Sequence, residues 1–305
     1  MASRFVRITD VGPRDGLQNQ AQILTPEQRS EIIADLVNAG LPSIEVGSFV
    51  SPKAVPAMAG INDIYQQLPA GNCHYQALIP NAKGYQLAKA AGAKAVMMVV
   101  CATETMNQKN VRMSVMQGMQ QAMSIIAQGK DDNIDVICCV AVSWHCPFEG
   151  KTEPQRVIDI ARALDEAGAK EIILADTIGA ANPEQVATLI KQVSQVVDID
   201  KLACHFHDTR AMGIANVYAA LQVGVRKFDA SLGGLGGCPF APGATGNVAT
   251  EDVVMMLEQM GYQTNIDLQK LMALSDKVGL WVEQQIGGRA DAWRKLQLAK
   301  GNALI

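Results

Sequence analysis

The chain has 305 residues with 26 Lys+Arg against 30 Asp+Glu, a net charge of −4, and 49% of its residues are hydrophobic. That balance excludes a disordered chain and, without a basic block, a nucleic-acid binder held by phosphate contacts. The length allows two average domains or a single α/β barrel, which needs roughly 250 residues. The longest apolar runs, residues 95–102 and 136–142, fall far short of the ~18 needed to span a bilayer. The first ten residues lack the apolar core of a signal peptide, so the seven cysteines are expected as reduced thiols in a cytoplasmic setting.

In chain order, β-rich runs are predicted over residues 6–9, 43–46, 74–78, 95–100, 135–141, 171–174, 201–206 and 227–230. Amphipathic helices lie between them. Thr25-Pro26-Glu27, Thr152-Glu153-Pro154 and Asn182-Pro183-Glu184 carry helix-start chemistry. Gly40, Gly92 and Gly168 follow helix ends. The Met-rich stretch 113–123 reads as a buried helix face. Helices are expected near residues 247–259, 267–285 and 291–300. Eightfold alternation of strand and helix predicts a (β/α)8 TIM barrel. An open doubly wound sheet is the rival. The barrel should occupy about residues 5–260 of a single domain, with C-terminal helical additions over about 261–305.

Catalytic groups of such barrels sit where strands end. Unusual polar residues fall there: Asp10 and Arg14-Asp15, Glu45 and Ser48, Asp176, His205-Phe206-His207-Asp208, and the glycine-rich run 233–246 containing Cys238. Strand starts carry Lys94, Lys170, Lys201 and Lys227 instead, as a solvated bottom rim. Residues two apart on a strand share a face, so His205 and His207 can reach one metal ion. With carboxylates nearby, Mg²⁺ or Mn²⁺ suits the donor set, and Zn²⁺ is an alternative. Asp15 could be a ligand, and Arg14 could hold an anionic oxygen through paired N–H groups. Adjacent residues make a poor mutual pair, so Arg14 is expected to pair with Glu45 or a ligand. Residues 233–246, with six glycines and two prolines, read as a lid. Asn247 reads as a helix N-cap or as a further metal ligand. His145, after the fifth strand, is a candidate substrate contact by position, and His74 reads as structural.

These residues carry a resemblance to the 3-hydroxy-3-methylglutaryl-CoA (HMG-CoA) lyase family. The landmarks are Val11-Gly-Pro-Arg-Asp-Gly-Leu-Gln-Asn19, Ser48-Phe-Val-Ser-Pro-Lys53, Cys146-Pro-Phe-Glu-Gly150, Asp176-Thr-Ile-Gly179, His205-Phe-His-Asp208, Gly234-Leu-Gly-Gly-Cys-Pro-Phe240, Gly246-Asn247 and Ala249-Thr-Glu-Asp252. The resemblance implies a divalent metal held by Asp15, His205, His207 and Asn247. It implies Arg14 near the thioester carbonyl, Cys238 as a catalytic thiol, and Glu45 in support. His205 is also a candidate proton donor. Gln18, Ser48, Trp144, His145 and Asp176 are candidate substrate-binding residues. The implied reaction cleaves an acyl-CoA thioester, HMG-CoA, to acetyl-CoA and acetoacetate, as in leucine degradation. The implied assembly is a homodimer or small homo-oligomer. Val46-Gly47, Ser143-Trp144-His145, Met106 and Ala175 depart from the family pattern. These departures leave open a lyase for citramalyl-CoA or for a longer 3-hydroxy-3-methyl-branched acyl-CoA. A Claisen-type synthase fits less well, because Leu17-Gln18 stands where Glu-Gln is typical. A non-catalytic acyl-CoA-binding barrel would not need the metal residues.

Overall fold

The computed structural model describes residues 4–237 and 246–302. Eight parallel strands close into a barrel: β1 (Arg7–Asp10), β2 (Ser43–Ser48), β3 (His74–Leu78), β4 (Ala95–Cys101), β5 (Asp135–Ala141), β8 (Glu171–Asp176), β9 (Leu202–Phe206) and β10 (Lys227–Ala230). Around the barrel the order is β1-β10-β9-β8-β5-β4-β3-β2. The open-sheet rival is thereby excluded. A hairpin of β6 (His145–Cys146) and β7 (Gly150–Lys151) follows β5. Its two-residue strands are too short to leave a periodic signal in the sequence.

Helix starts follow local chemistry. Thr25 caps Pro26–Asn38, and Asn182 caps Pro183–Val193, each through a reciprocal capping box. At the third expected start Glu153 precedes Pro154–Ala167 without a side-chain cap, and the Thr152 hydroxyl donates to Val142 O at 2.7 Å, which pins the loop after β5. Gly40 turns the chain after the first helix with φ +94°, and a Cβ there would lie 2.3 Å from Asn265 O. The Met-rich stretch differs from expectation: Met116 and Met123 are exposed on Val115–Asp132, and Gly118, Ala122, Ile125, Ile126 and Gly129 form the buried face. The last helices run Thr250–Gln259, Leu268–Val282 and Asp291–Ala299. Among the described residues no helix is long and apolar enough to cross a membrane.

Two apolar regions hold the fold. The larger lies between the strands and the surrounding helices. The smaller fills the barrel interior with Ala95, Met97, Ile137, Cys139, Ile173, Ala175 and Ala203. At the strand-start end, buried Glu171 joins Arg7 at 2.5 Å and Lys227 at 2.9 Å. Lys201 pairs with Asp165 at 2.6 Å. That rim is therefore ion-paired and not merely solvated.

The register of β2 shifts between Glu45 and Gly47. Behind this bulge lies Arg29, 1% exposed, which donates to the carbonyls of Ala57 and Ala59 at 3.2 and 2.9 Å. A Cβ on Gly47 would sit 2.7 Å from the Arg29 guanidinium and 2.5 Å from Ile61 Cδ1. The glycine that departs from the family pattern thus makes room for a buried arginine.

Candidate active site

The site is built from strand ends. Asp10 closes β1, and its buried carboxylate serves the backbone: Oδ1 accepts from Gly12 N at 2.8 Å and Oδ2 from the Thr250 hydroxyl at 2.6 Å. It anchors a single π-helical turn, Gly12–Gly16. Such turns are rare and recur at functional sites. This one leaves Arg14 and Asp15 buried together at the barrel mouth.

Arg14 divides its guanidinium. One nitrogen donates to Asp15 Oδ1 at 2.7 Å, and the other lies 2.9 Å from Glu45 Oε2. The expectation that the adjacent residue would be a poor partner is overturned. The π turn brings both side chains to the same side, and the long arginine chain folds back onto Asp15. Burial pushes Glu45 up to about 7 against the pull of Arg14. Burial also acts to raise Asp15, but Arg14, His205 and His207 outweigh it and hold that carboxylate at about 2.

His205 lies one residue before the end of β9 and faces Asp229 of β10. The two are register partners, and His205 Nδ1 lies 3.2 Å from Asp229 Oδ2. Burial acts to lower the His205 pKa, but the Asp229 contact overcomes it and the net shift is upward. His205 Nε2 lies 3.2 Å from His207 Nε2, which is 3.9 Å from Asp15 Oδ2. Burial and the neighbouring His205 push His207 down to about 4. Asn247 bridges to His207 through backbone pairing, and its amide donates to Asp15 Oδ2 at 2.8 Å and to Leu235 O at 3.0 Å. Its helix-cap reading is set aside, because Ala249 precedes Thr250–Gln259.

These residues fit a metal ion. Ligand atoms of Asp15, His205 and His207 all lie within 4.8 Å of one another, and all three residues are buried. The 3.2 Å between the imidazole nitrogens is close to the ~3.0 Å between neighbouring ligands of an octahedral ion with ~2.1 Å bonds. Asn247 Oδ1 is buried with no hydrogen-bond partner among the described residues, so a fourth donor, an oxygen, is at hand.

Other expected residues fall at different distances from this cluster. Gln18 reaches it, donating to Asp15 Oδ1 at 3.3 Å. Ser48 is buried at the end of β2 with its hydroxyl unpartnered among the described residues. Trp144 packs in the layer outside the barrel. Its ring meets Phe206 at 5.8 Å, and its indole N–H donates to Gln185 O at 3.2 Å. Phe206, the residue it packs on, lies between the two histidines in sequence and faces the other way. Asp176 is likewise spent on the backbone, accepting from Ala180 N at 2.9 Å and Ala181 N at 3.0 Å. His145 is half-buried on the hairpin, near enough to Asp176 to act on its titration. Cys238 and most of the lid lie outside the described residues. Asp229 is the residue that sequence reading missed. Its signal was an acid inside an apolar strand, two positions before Ser231.

The HMGL-like family model matches residues 5–278, about nine-tenths of the chain. This chain belongs to the HMGL-like family, that of the HMG-CoA lyases. It is a carbon–carbon lyase. Among its relatives is the hydroxymethylglutaryl-CoA lyase of Pseudomonas mevalonii, 41% identical over 98% of both chains. Another is the (R)-citramalyl-CoA lyase of Chloroflexus aurantiacus, also 41% identical, over 92% of this chain and 91% of that protein. Among solved structures, an HMG-CoA lyase from Acinetobacter baumannii in complex with coenzyme A and 3-methylmalate superposes with a TM-score of 0.91. It is 38% identical, and the match covers 95% of each chain. The family motifs and the polar cluster coincide in this fold: Arg14-Asp15 on the first turn, Glu45 on β2, His205 on β9 and His207 just past it.

Proposed function

We propose that this HMGL-like lyase cleaves HMG-CoA to acetyl-CoA and acetoacetate, with Mg²⁺ or Mn²⁺ held by Asp15, His205, His207 and Asn247. The observation that carries the reading is the buried Asp15–His205–His207 cluster beside the divided guanidinium of Arg14. A divalent cation there supplies Lewis acidity toward the substrate's tertiary hydroxyl.

The chain's own groups do the rest. The hydroxyl proton leaves to a basic atom of the cluster. The C2–C3 bond breaks, C3 becomes the acetoacetate ketone, and the bonding electrons enter the thioester enolate. Arg14 offers N–H groups to that enolate oxygen, and Glu45 and Asp15 hold the guanidinium in place. A proton delivered to C2 completes acetyl-CoA, and Cys238 is the donor in this reading. Burial excludes water that would otherwise protonate the carbanion early.

The equal identity to a citramalyl-CoA lyase supports a second substrate reading with the same chemistry. Both substrates carry the hydroxyl on the carbon that becomes a ketone. With these readings go one barrel domain extended by C-terminal helices, a homodimer or small homo-oligomer, and a cytoplasmic role in leucine degradation.

The test is acetyl-CoA release from a panel of 3-hydroxyacyl-CoAs with Mg²⁺ or Mn²⁺. Release from HMG-CoA is expected. Release from citramalyl-CoA alone moves the assignment to the second substrate, and silence with every thioester rejects both. Cys238→Ala should lower kcat more than it changes KM.

A further inference from the structure

The mouth of the barrel is divided by strand order. Arg14, Asp15, Glu45, His205, His207 and Asp229 all belong to β2, β1, β9 and β10 or to the turns that follow them. Those four strands are contiguous in the barrel, and the remaining four, β8-β5-β4-β3, form the opposite half. Within that half Ala175 and Cys139 belong to the buried apolar layer of the barrel interior, and Val99 and Leu78 pack against it.

The layer abuts the polar cluster. Ala175 is the register partner of His205. Cys139, the register partner of Val99, feels the charges of Asp229, Arg14 and Glu45. Leu78 pairs with Ser48 on one side and Met97 on the other. Cys139 and Ala175 are buried, whereas Leu78 and Val99 are only partly so.

A 3-hydroxy-3-alkyl-acyl thioester matches this division. C3 is tetrahedral. With its hydroxyl on the metal residues and its C2 thioester arm toward Arg14, its remaining substituents turn toward the opposite half. HMG-CoA and citramalyl-CoA share one apolar substituent at that carbon, a methyl group. Resting on the lyase reading above, we propose that Leu78 and Val99 form the wall that receives the C3 alkyl branch and sets its size. The substrate class is then 3-hydroxyacyl-CoAs with a small apolar branch at C3.

The test compares kcat/KM for 3-hydroxyglutaryl-CoA and its 3-methyl and 3-ethyl homologues in wild type, Leu78→Ala, Val99→Ala and Val99→Phe. Widening the wall in either alanine variant should shift the ratio toward the ethyl homologue by about tenfold, and Val99→Phe should shift it toward the unbranched compound by a similar factor. Mn²⁺ affinity and the circular dichroism spectrum serve as controls, and having two alanine variants guards against one that fails to fold. Folded variants that cleave HMG-CoA with an unchanged ratio overturn the wall while leaving the lyase reading intact. A wild type that cleaves none of these thioesters overturns both.

Discussion

His205 Nδ1 and Asp229 Oδ2 face each other at 3.2 Å on neighbouring strands, which leaves His205 Nε2 aimed at His207. A carboxylate on the far nitrogen of a histidine fixes the ring and its tautomer and raises its basicity as a ligand. Asp229→Asn should therefore weaken Mn²⁺ binding by about 10–100-fold. Titration calorimetry reads this directly, and unchanged affinity would leave Asp229 a packing residue.

Chelation tests the cluster as a whole. Protein stripped of metal should release no acetyl-CoA from HMG-CoA, and Mg²⁺ or Mn²⁺ should restore it. Asp15→Ala and His205→Ala should each lose activity by orders of magnitude and resist rescue by added metal. Turnover near the wild-type rate in stripped protein would contradict the metal reading.

Arg14 carries the developing charge in the proposed reaction. Arg14→Ala should lower kcat by about 10²–10³, the usual cost of removing one such donor. Glu45→Gln should retain more activity, because Asp15 still holds one side of the guanidinium. Steady-state kinetics at saturating metal distinguish the two, and equal losses would make Glu45 a participant and not a support.

Glu251 offers a pH prediction away from the metal residues. Its buried carboxylate accepts from Gly233 N at 3.0 and 2.9 Å and from the Ser275 hydroxyl. Burial raises it from 4.5 to about 7. The folded state therefore holds this proton more tightly than the unfolded chain. Its stabilising contribution is full below about 4.5 and is lost as pH rises to about 7. Asp10 and Glu45, raised to about 6 and 7, act in the same direction. The measurement is thus a difference: urea unfolding of Glu251→Gln should lack part of the wild-type slope across that window. Parallel slopes would deny the shift.

Gly47→Ala should destabilise the protein by about 1–3 kcal/mol, since the added methyl overlaps Arg29 and Ile61. Thermal unfolding checks it. A neutral result would show that the Arg29 side chain gives way at little cost.

Much of this was legible in the chain itself. Turn residues and apolar runs recur eight times, and their period dictates parallel β/α units. The bounds of β3, β5 and β10 match the periodicity directly. Short-range pattern also put His205 and His207 on one face, since alternation along a strand is local geometry. Local pattern does not reveal which side chains meet across the barrel. Asp229 is 24 residues from His205 and becomes its partner only through parallel pairing. Position alone placed Asp176 and Trp144 past strand ends, and only the fold shows Asp176 accepting from backbone amides and Trp144 packed on Phe206. Composition and charge excluded a nucleic-acid binder, and the length left room for a barrel. Closure of that barrel gathered a polar half and an apolar half at one mouth, because strands distant in sequence become neighbours only when the sheet meets itself.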